Sequence, residues 1–442
     1  MRAVVVGGGI SGLAAAYRFV AAGVDVTLVE GSDRLGGKLR TGELAGGPAE
    51  AGAEMFLTRD PDGGPSAAVR LADEVGLGPE LEYPQTMRAA LAVAGDLRAV
   101  PSRHLMGVPA EPADLDGLAH VAAERDRDGG HPLLAPGADV AVGALVRERL
   151  GDEVADRLVD PLLGGVYAGR ADDLSLATAV PALAATARRE HTLTGAVRAA
   201  LADRPPGGGP VFTTPTRGVG SLVSAVVARL STVDIRAGVP VRALEPAWRV
   251  LVGSDPLRAD GVVLAVPGPS ARRLLSLPAG TLPDYASVAL VTLVLPEVDL
   301  PELSGLLVPA SEGYAVKAAT FFDRKWAHHR RDGLTVVRCS LGRYGDEAVL
   351  QRPDTDLVEI AHGELGALLG RTLPAPVESA VQRWGGALPQ YAPGHLDRVA
   401  ALRAGLPPTL ALAGAAYDGV GIPACIRSGL AAAERILRGW GA

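Results

Sequence analysis

The first forty residues constrain this chain more than any other stretch. Arg2-Ala3-Val4-Val5-Val6 reads as a buried strand and runs into Gly7-Gly8-Gly9-Ile10-Ser11-Gly12. A helical pattern over 13–22 and a second strand, Asp25-Val26-Thr27-Leu28-Val29, follow and end on Glu30. A βαβ unit carrying G-x-G-x-x-G, with an acid about 20 residues on, is the arrangement that binds a dinucleotide. Gly7 permits the tight turn, Gly9 lets a pyrophosphate reach the backbone, and Gly12 lets helix and strand pack closely. Ile10 and Ser11 open the helix, where free N–H groups and the positive dipole end favour phosphate. Glu30 suits both hydroxyls of an adenosine ribose, and its charge would repel a 2′-phosphate. The motif therefore points away from NADP, but it does not by itself separate FAD from NAD.

The next segment, Gly31-Ser32-Asp33-Arg34-Leu35-Gly36-Gly37-Lys38-Leu39-Arg40-Thr41, helps to do so. Its glycine doublet lets the backbone pass close to a diphosphate or ribityl chain, and Arg34, Lys38 and Arg40 add positive charge. This resembles the R-x-G-G-[KR] segment that follows the second strand in amine-oxidase-like flavoproteins. FAD becomes the expected cofactor.

A chain of 442 residues can build two or three domains. The formal net charge of −7 creates no basic field, so nucleic acid is not an expected partner. Cys339 and Cys425 are too few and too far apart for a disulfide framework and are expected as buried small hydrophobes. The adjacent His328 and His329 cannot share one face of a helix or strand, so a solvated loop is expected there and no metal site. The most apolar window, 286–295, is far short of the roughly 20 residues of a membrane helix. With a strand starting at residue 2, the reading is a soluble, cytoplasmic protein with no transmembrane segment, peripheral membrane contact being left open.

Further along, 66–75 reads as a helix ending at Gly76, and 111–200 reads as helical. Arg204-Pro205-Pro206-Gly207-Gly208-Gly209-Pro210 is a breaker-rich loop. Residues 218–230 read as a helix, 234–237, 240–244 and 261–267 as strands. The β-rich runs 287–295, 314–322 and 335–341 come next. The chain closes with a strand at 409–414, a glycine-rich turn, and a helix from about 426 to 437. A glycine-rich turn between strand and helix is where open α/β folds bind ligands. The helix dipole there would stabilise negative charge on a reduced flavin ring.

At this point a family resemblance spans most of the chain. Gly414-Ala415-Ala416-Tyr417-Asp418-Gly419-Val420-Gly421-Ile422-Pro423-Ala424-Cys425-Ile426 resembles the C-terminal signature of the protoporphyrinogen/coproporphyrinogen oxidases. Leu150-Gly151-Asp152-Glu153 through Pro161-Leu162-Leu163-Gly164-Gly165-Val166-Tyr167-Ala168-Gly169, then Leu174-Ser175, is similar to another family segment. So are Thr213-Thr214-Pro215-Thr216-Arg217-Gly218-Val219-Gly220-Ser221-Leu222 and Arg383-Trp384 with Leu388-Pro389-Gln390-Tyr391 and Gly394-His395. The resemblance implies an α/β fold with a discontinuous Rossmann-type FAD-binding domain (1–75, 212–270, 384–442). A β-sheet substrate domain (76–110, 271–383) and a helical insertion domain (111–211) complete it.

The resemblance also implies an FAD-dependent oxidase that aromatises a porphyrinogen in haem biosynthesis, in three two-electron steps with O2 as acceptor and H2O2 as product. Soluble bacterial members typically use coproporphyrinogen III, and membrane-associated ones protoporphyrinogen IX. A ferrochelatase or other haem-pathway enzyme is the candidate partner. Such chemistry needs no nucleophile or metal, because the cofactor takes the hydride, and no residue is assigned as catalytic. The site is expected to be a large apolar cavity with a few cations for the propionates.

Carried over residue by residue, the resemblance puts Gly7, Gly9, Ile10, Ser11 and Gly12 at the pyrophosphate end and Glu30 on ribose. It places Arg34, Gly36, Gly37 and Lys38 along the chain toward the flavin, with Gly52, Ala53, Glu54 and Trp384 nearby and Val241 against adenine. Gly414, Val420, Gly421 and Ile422 fall at the pyrimidine side of the ring system. Substrate contacts are assigned to Arg88 at a strand entry, Val166 and Tyr167 in a glycine-bounded turn, and Lys317 and Phe321 on a β-run. The chain departs from the family pattern at Ala53-Glu54-Met55, where Pro-Asp-Ser is usual, and at Ala424, where Asp is usual. Rival readings are an amine oxidase or carotenoid desaturase, for which aromatics at 4% leave little for an aromatic cage, and a flavin- or porphyrin-binding protein without turnover.

Overall fold

The computed structural model describes every residue except 116, 204–208, 254 and 442, so most of the breaker-rich loop at 204–210 lies outside the described residues. Strand Arg2–Val6 is central to a five-stranded parallel sheet. The order across that sheet is Asp234–Arg236, Asp25–Val29, Arg2–Val6, Gly261–Leu264, Leu410–Leu412. Apart from the edge strand Asp234–Arg236, these runs are buried along nearly their whole length because both faces are covered, as parallel sheets require. Ala3, Val5, Val263 and Ala411 face helices Ile10–Ala21, Gly220–Ala228 and Ile422–Gly441. Val4, Val6, Val262 and Leu412 face an antiparallel meander that begins with Val241–Glu245. The first and last helices cross so closely that a Cβ on Gly429 would stand 2.0 Å from the Ser11 carbonyl oxygen.

A second sheet of seven strands runs Glu378–Gln390, Asp284–Pro296, Leu334–Leu341, Val316–Phe321, Gly305–Leu307, Ala89–Val93, Asp96–Ala99. It is antiparallel apart from the pairing of Gly305–Leu307 with Ala89–Val93. Helix Asp354–Leu368 seals one face through Leu357, Ala361 and Leu365. Helix Asp160–Tyr167 lies on the opposite face, against Gly305–Leu307, Val316–Phe321 and Glu378–Gln390. That helix belongs to a helical lobe built around Leu145, Leu158, Leu163, Leu183 and Val197.

Several expectations are corrected here. The lobe's regular helices begin at Val142–Leu150; residues 112–140 hold only short 3₁₀ turns, since Pro112, Pro132, Pro136 and the Gly129-Gly130 pair interrupt any longer helix. The Gly164–Gly169 stretch is not a turn: helix Asp160–Tyr167 runs through it and stops at Ala168, whose φ is +52°. The last helix starts at Ile422, with Pro423 in the first turn, where its missing N–H costs nothing. The domain boundary expected between 383 and 384 cuts strand Glu378–Gln390, and Leu81–Glu82 pairs with Phe212–Pro215 outside the large sheet.

Candidate functional site

The site grows from the N-terminal glycine loop. A Cβ on Gly12 would lie 1.9 Å from the Gly7 carbonyl oxygen, so only glycine lets this helix start beneath this strand. Gly9 is different. Its backbone is ordinary (φ −69°, ψ 173°), and a Cβ there would meet nothing within 4 Å. The space above Gly9 is the cradle that a pyrophosphate fits, at the mouth of a 12-residue helix with no acid in its first turn. The second loop seals its flank. Gly36 N donates to Gly8 O at 2.8 Å, and a Cβ on Gly37 would lie 3.3 Å from Gly9 Cα.

Glu30 ends the second strand, and backbone fixes its carboxylate. One oxygen accepts from Gly8 N at 2.7 Å, the other from Ser32 N at 2.8 Å. The Ser32 hydroxyl also donates to the second oxygen at 2.8 Å, so the oxygen held by Gly8 N is the one with a lone pair left for a ribose hydroxyl. Val241, at the start of the meander, is buried beside the sheet.

The C-terminal turn meets the same loop. Gly414 N donates to Ser428 Oγ at 2.9 Å, and a Cβ on Gly414 would stand 3.6 Å from Ser11 Oγ. Gly421 is exposed just ahead of the first turn of the final helix, Ile422 anchors that turn in the core, and Val420 packs against the helical lobe. The turn thus leads from the cradle to the lobe, and the helix N-terminus provides free N–H groups along that path.

The loop 50–54 forms the third wall. A Cβ on Gly52 would collide with Lys38 O at 2.0 Å. Trp384 Nε1 donates to Ala51 O at 2.6 Å, and the Arg34 guanidinium lies 5.8 Å from the Trp384 ring centre. Burial pulls the Lys38 ammonium below its ordinary value. Ala53 N donates to Lys38 O. Glu54 is a correction. Its carboxylate is buried, and its two oxygens accept from Lys325 Nζ and Arg338 Nη2, so its charge is committed to the sheet. Burial alone would raise its pKa, but the two cations hold it below the usual carboxylate range. Arg338 also donates to the carbonyls of Glu50 and Gly52 at 3.0 and 3.1 Å. The triad therefore clamps the 50–54 loop to the seven-stranded sheet.

Beside it, His328 and His329 are not in a solvated loop. His329 is 2% exposed and stacks on Phe322 at 4.6 Å, and His328 Nδ1 lies 2.5 Å from Glu82. Burial drops the His329 pKa to about 3. The triad escaped the sequence reading because Glu54 lies 271 residues from Lys325 and no motif spans them.

Among the residues assigned to substrate, the structure brings some together and separates others. Tyr167 is buried edge-on against Tyr391 at 5.9 Å, and its carbonyl accepts from Gln390 Nε2 at 2.8 Å. Burial pushes its phenol up to about 12. Val166, one residue earlier, is 41% exposed. Lys317 is buried on the sheet. Arg88 is exposed at the entry of Ala89–Val93, its carbonyl accepting from Ser304 N at 2.7 Å. Phe321 is a correction: strand alternation turns it to the face sealed by helix Asp354–Leu368, where it is 0% exposed among Val337, Leu357 and Ala361.

Among the described residues, no group of three His, Cys, Asp or Glu side chains could hold a metal, and no helix is long and apolar enough to cross a membrane. Both cysteines are buried and free.

The comparisons with known proteins agree with this cradle. The model of the flavin-containing amine oxidoreductases matches residues 10–437. A Mycobacterium tuberculosis protein named coproporphyrinogen III oxidase is 41% identical over 96% of this chain and 94% of its own. A Bacillus subtilis protein of the same name is 30% identical over 98% and 97%. The crystal structure of a putative protoporphyrinogen oxidase from Exiguobacterium superposes with a TM-score of 0.85 at 30% identity, covering 98% of both chains. The cofactor of this chain is FAD. The chain belongs to the family of flavin-containing amine oxidoreductases.

Proposed function

We propose that this protein oxidises coproporphyrinogen III to coproporphyrin III in haem biosynthesis, removing six electrons in three two-electron steps and reducing O2 to H2O2 at each. The observation that carries the reading is the near full-length likeness to proteins bearing that name, at 41% identity. Bound FAD supplies the two-electron acceptor.

The chain's own residues position and enclose. Gly9 and the first helix hold the pyrophosphate, Glu30 the ribose, and Arg34, Gly36, Gly37 and Lys38 line the way to the 50–54 loop. Glu54, Lys325 and Arg338 keep that loop seated on the sheet. Val420 and the start of helix Ile422–Gly441 lie between cradle and lobe. Substrate enters between helix Asp160–Tyr167 and the seven-stranded sheet, where Val166 and Tyr167 wall the space and Arg88 receives a propionate at its edge. A ferrochelatase or other haem-pathway enzyme as partner, and a cytoplasmic location, belong to the same proposal.

Anaerobic mixing of the yellow holoprotein with coproporphyrinogen III, protoporphyrinogen IX and a panel of amines tests it. Flavin bleaching by coproporphyrinogen III, then porphyrin fluorescence and peroxide on admitting air, is the expected result. Bleaching by amines alone, or by none of these, overturns the reading. The name of the Exiguobacterium structure makes protoporphyrinogen IX the second candidate substrate.

A further inference from the structure

Lys317 is the most unusual charge in the molecule. It is 6% exposed, and among the described residues its ammonium has no hydrogen bond and no carboxylate partner. An uncompensated buried ammonium is costly, so a buried lysine is normally paired. Its one charged neighbour is of the same sign. Arg343, partly buried, donates to the carbonyls of Tyr314 and Val308 at 2.9 and 3.1 Å and, among the described residues, makes no ion pair.

The sheet register sets Lys317 apart. Val316 pairs with Leu341 and Ala318 with Ser340, which makes Lys317 the extra residue of a β-bulge. Val316, Ala319 and Phe321 face helix Asp354–Leu368. Glu364 of that helix spends its carboxylate on Ala315 N and Val316 N, at 3.2 and 2.8 Å, and makes no ion pair with Lys317. A bulge re-aims the side chain it inserts, commonly beside active sites, and helix Asp160–Tyr167 packs on this strand from the side opposite helix Asp354–Leu368. Asp160 of helix Asp160–Tyr167 accepts from Ala171 N at 2.8 Å.

We propose that Lys317, backed by Arg343, receives a carboxylate of the substrate and selects the tetracarboxylate porphyrinogen over the dicarboxylate one. This rests on the porphyrinogen oxidase reading above. Coproporphyrinogen III carries a propionate on every pyrrole and offers one to Lys317 in any in-plane orientation. Protoporphyrinogen IX has vinyl groups in place of two of them, and a vinyl against Lys317 leaves the ammonium unpaired.

The experiment is steady-state oxidation of both porphyrinogens by wild-type, Lys317→Met and Lys317→Arg holoenzymes, with FAD content and Tm measured alongside. Lys317→Met is expected to lower kcat/KM for coproporphyrinogen III about 10- to 100-fold, mainly through KM, with less than about threefold change for protoporphyrinogen IX. Lys317→Arg restores most of it. Tm and FAD content stay level or rise in Lys317→Met, because an unpaired buried charge has been removed. Unchanged kinetics, an equal loss on both substrates, or a fall in Tm shared by Lys317→Met and a second neutral variant, Lys317→Gln, overturns the proposal. Wild-type enzyme that oxidises neither porphyrinogen overturns the functional reading instead, so the two failures are distinct.

Discussion

The cofactor cradle and the lobe–sheet interface are built on opposite principles. Around Gly7–Gly12, Gly36-Gly37 and Gly414 the wall is main chain, and the structure works by having no side chains there. At the 50–54 loop and on the seven-stranded sheet the work falls to buried charges, Glu54 with Lys325 and Arg338, and Lys317 beside Arg343. A backbone site is specified by residues that are near in sequence. A charge site needs partners delivered by distant strands, so it exists only once the sheet has assembled.

The sharpest break of this contrast compares two alanines three residues apart. Gly12→Ala puts a Cβ 1.9 Å from a carbonyl oxygen and is expected to cost more than about 4 kcal/mol, enough to abolish folding. Gly9→Ala adds a Cβ into open space, so the apoprotein should keep its stability within about 0.5 kcal/mol while FAD binding is lost. Denaturant unfolding of the apoproteins and flavin absorbance after reconstitution read the two effects separately. Equal damage from both would mean that Gly9 is structural and the cradle is misplaced.

The charged region predicts a different pattern. Lys325→Met leaves the Glu54 carboxylate buried with one cation fewer, and is expected to cost about 3–5 kcal/mol. Because the triad seats the 50–54 loop, FAD content should fall with it. The double variant Lys325→Met, Glu54→Gln should recover a large part of the loss, and no recovery would show that the clamp is not electrostatic.

A graded effect, spread over several pH units, is expected in acid. His329 titrates near pH 3 in the folded protein against 6.5 when free. Between those values the unfolded chain binds the extra proton, so the contribution is complete above about pH 6.5 and is lost as pH falls toward 3. His329→Phe should flatten the fall of Tm over that window. An unchanged slope would place the acid sensitivity elsewhere.

The cradle was legible because each of its demands is local. A strand, three spaced glycines, a helix and an acid can be read from neighbouring residues, and the structure returns strand Arg2–Val6, helix Ile10–Ala21 and Glu30 in those places. The turn at 414–422 was also legible, though the helix begins four residues earlier than expected because Pro423 is tolerated in a first turn. The substrate wall was far less so. Lys317 and Phe321 lie on one strand and looked equivalent, yet Phe321 faces the sealed core, whereas Lys317 is the extra residue of a bulge. Glu54 looked like a cofactor contact because it follows Gly52-Ala53; the cations that claim it arrive from residues 325 and 338.

By itself, the sequence determined where an adenine dinucleotide binds, and its motifs in order determined the family, because backbone geometry and glycine spacing are short-range properties. Which side chains end up buried, paired or left without a partner was decided only by the tertiary structure. Strand parity, a single bulge and the sealing helix set the direction of each side chain, and burial then set which charges must find a counter-ion.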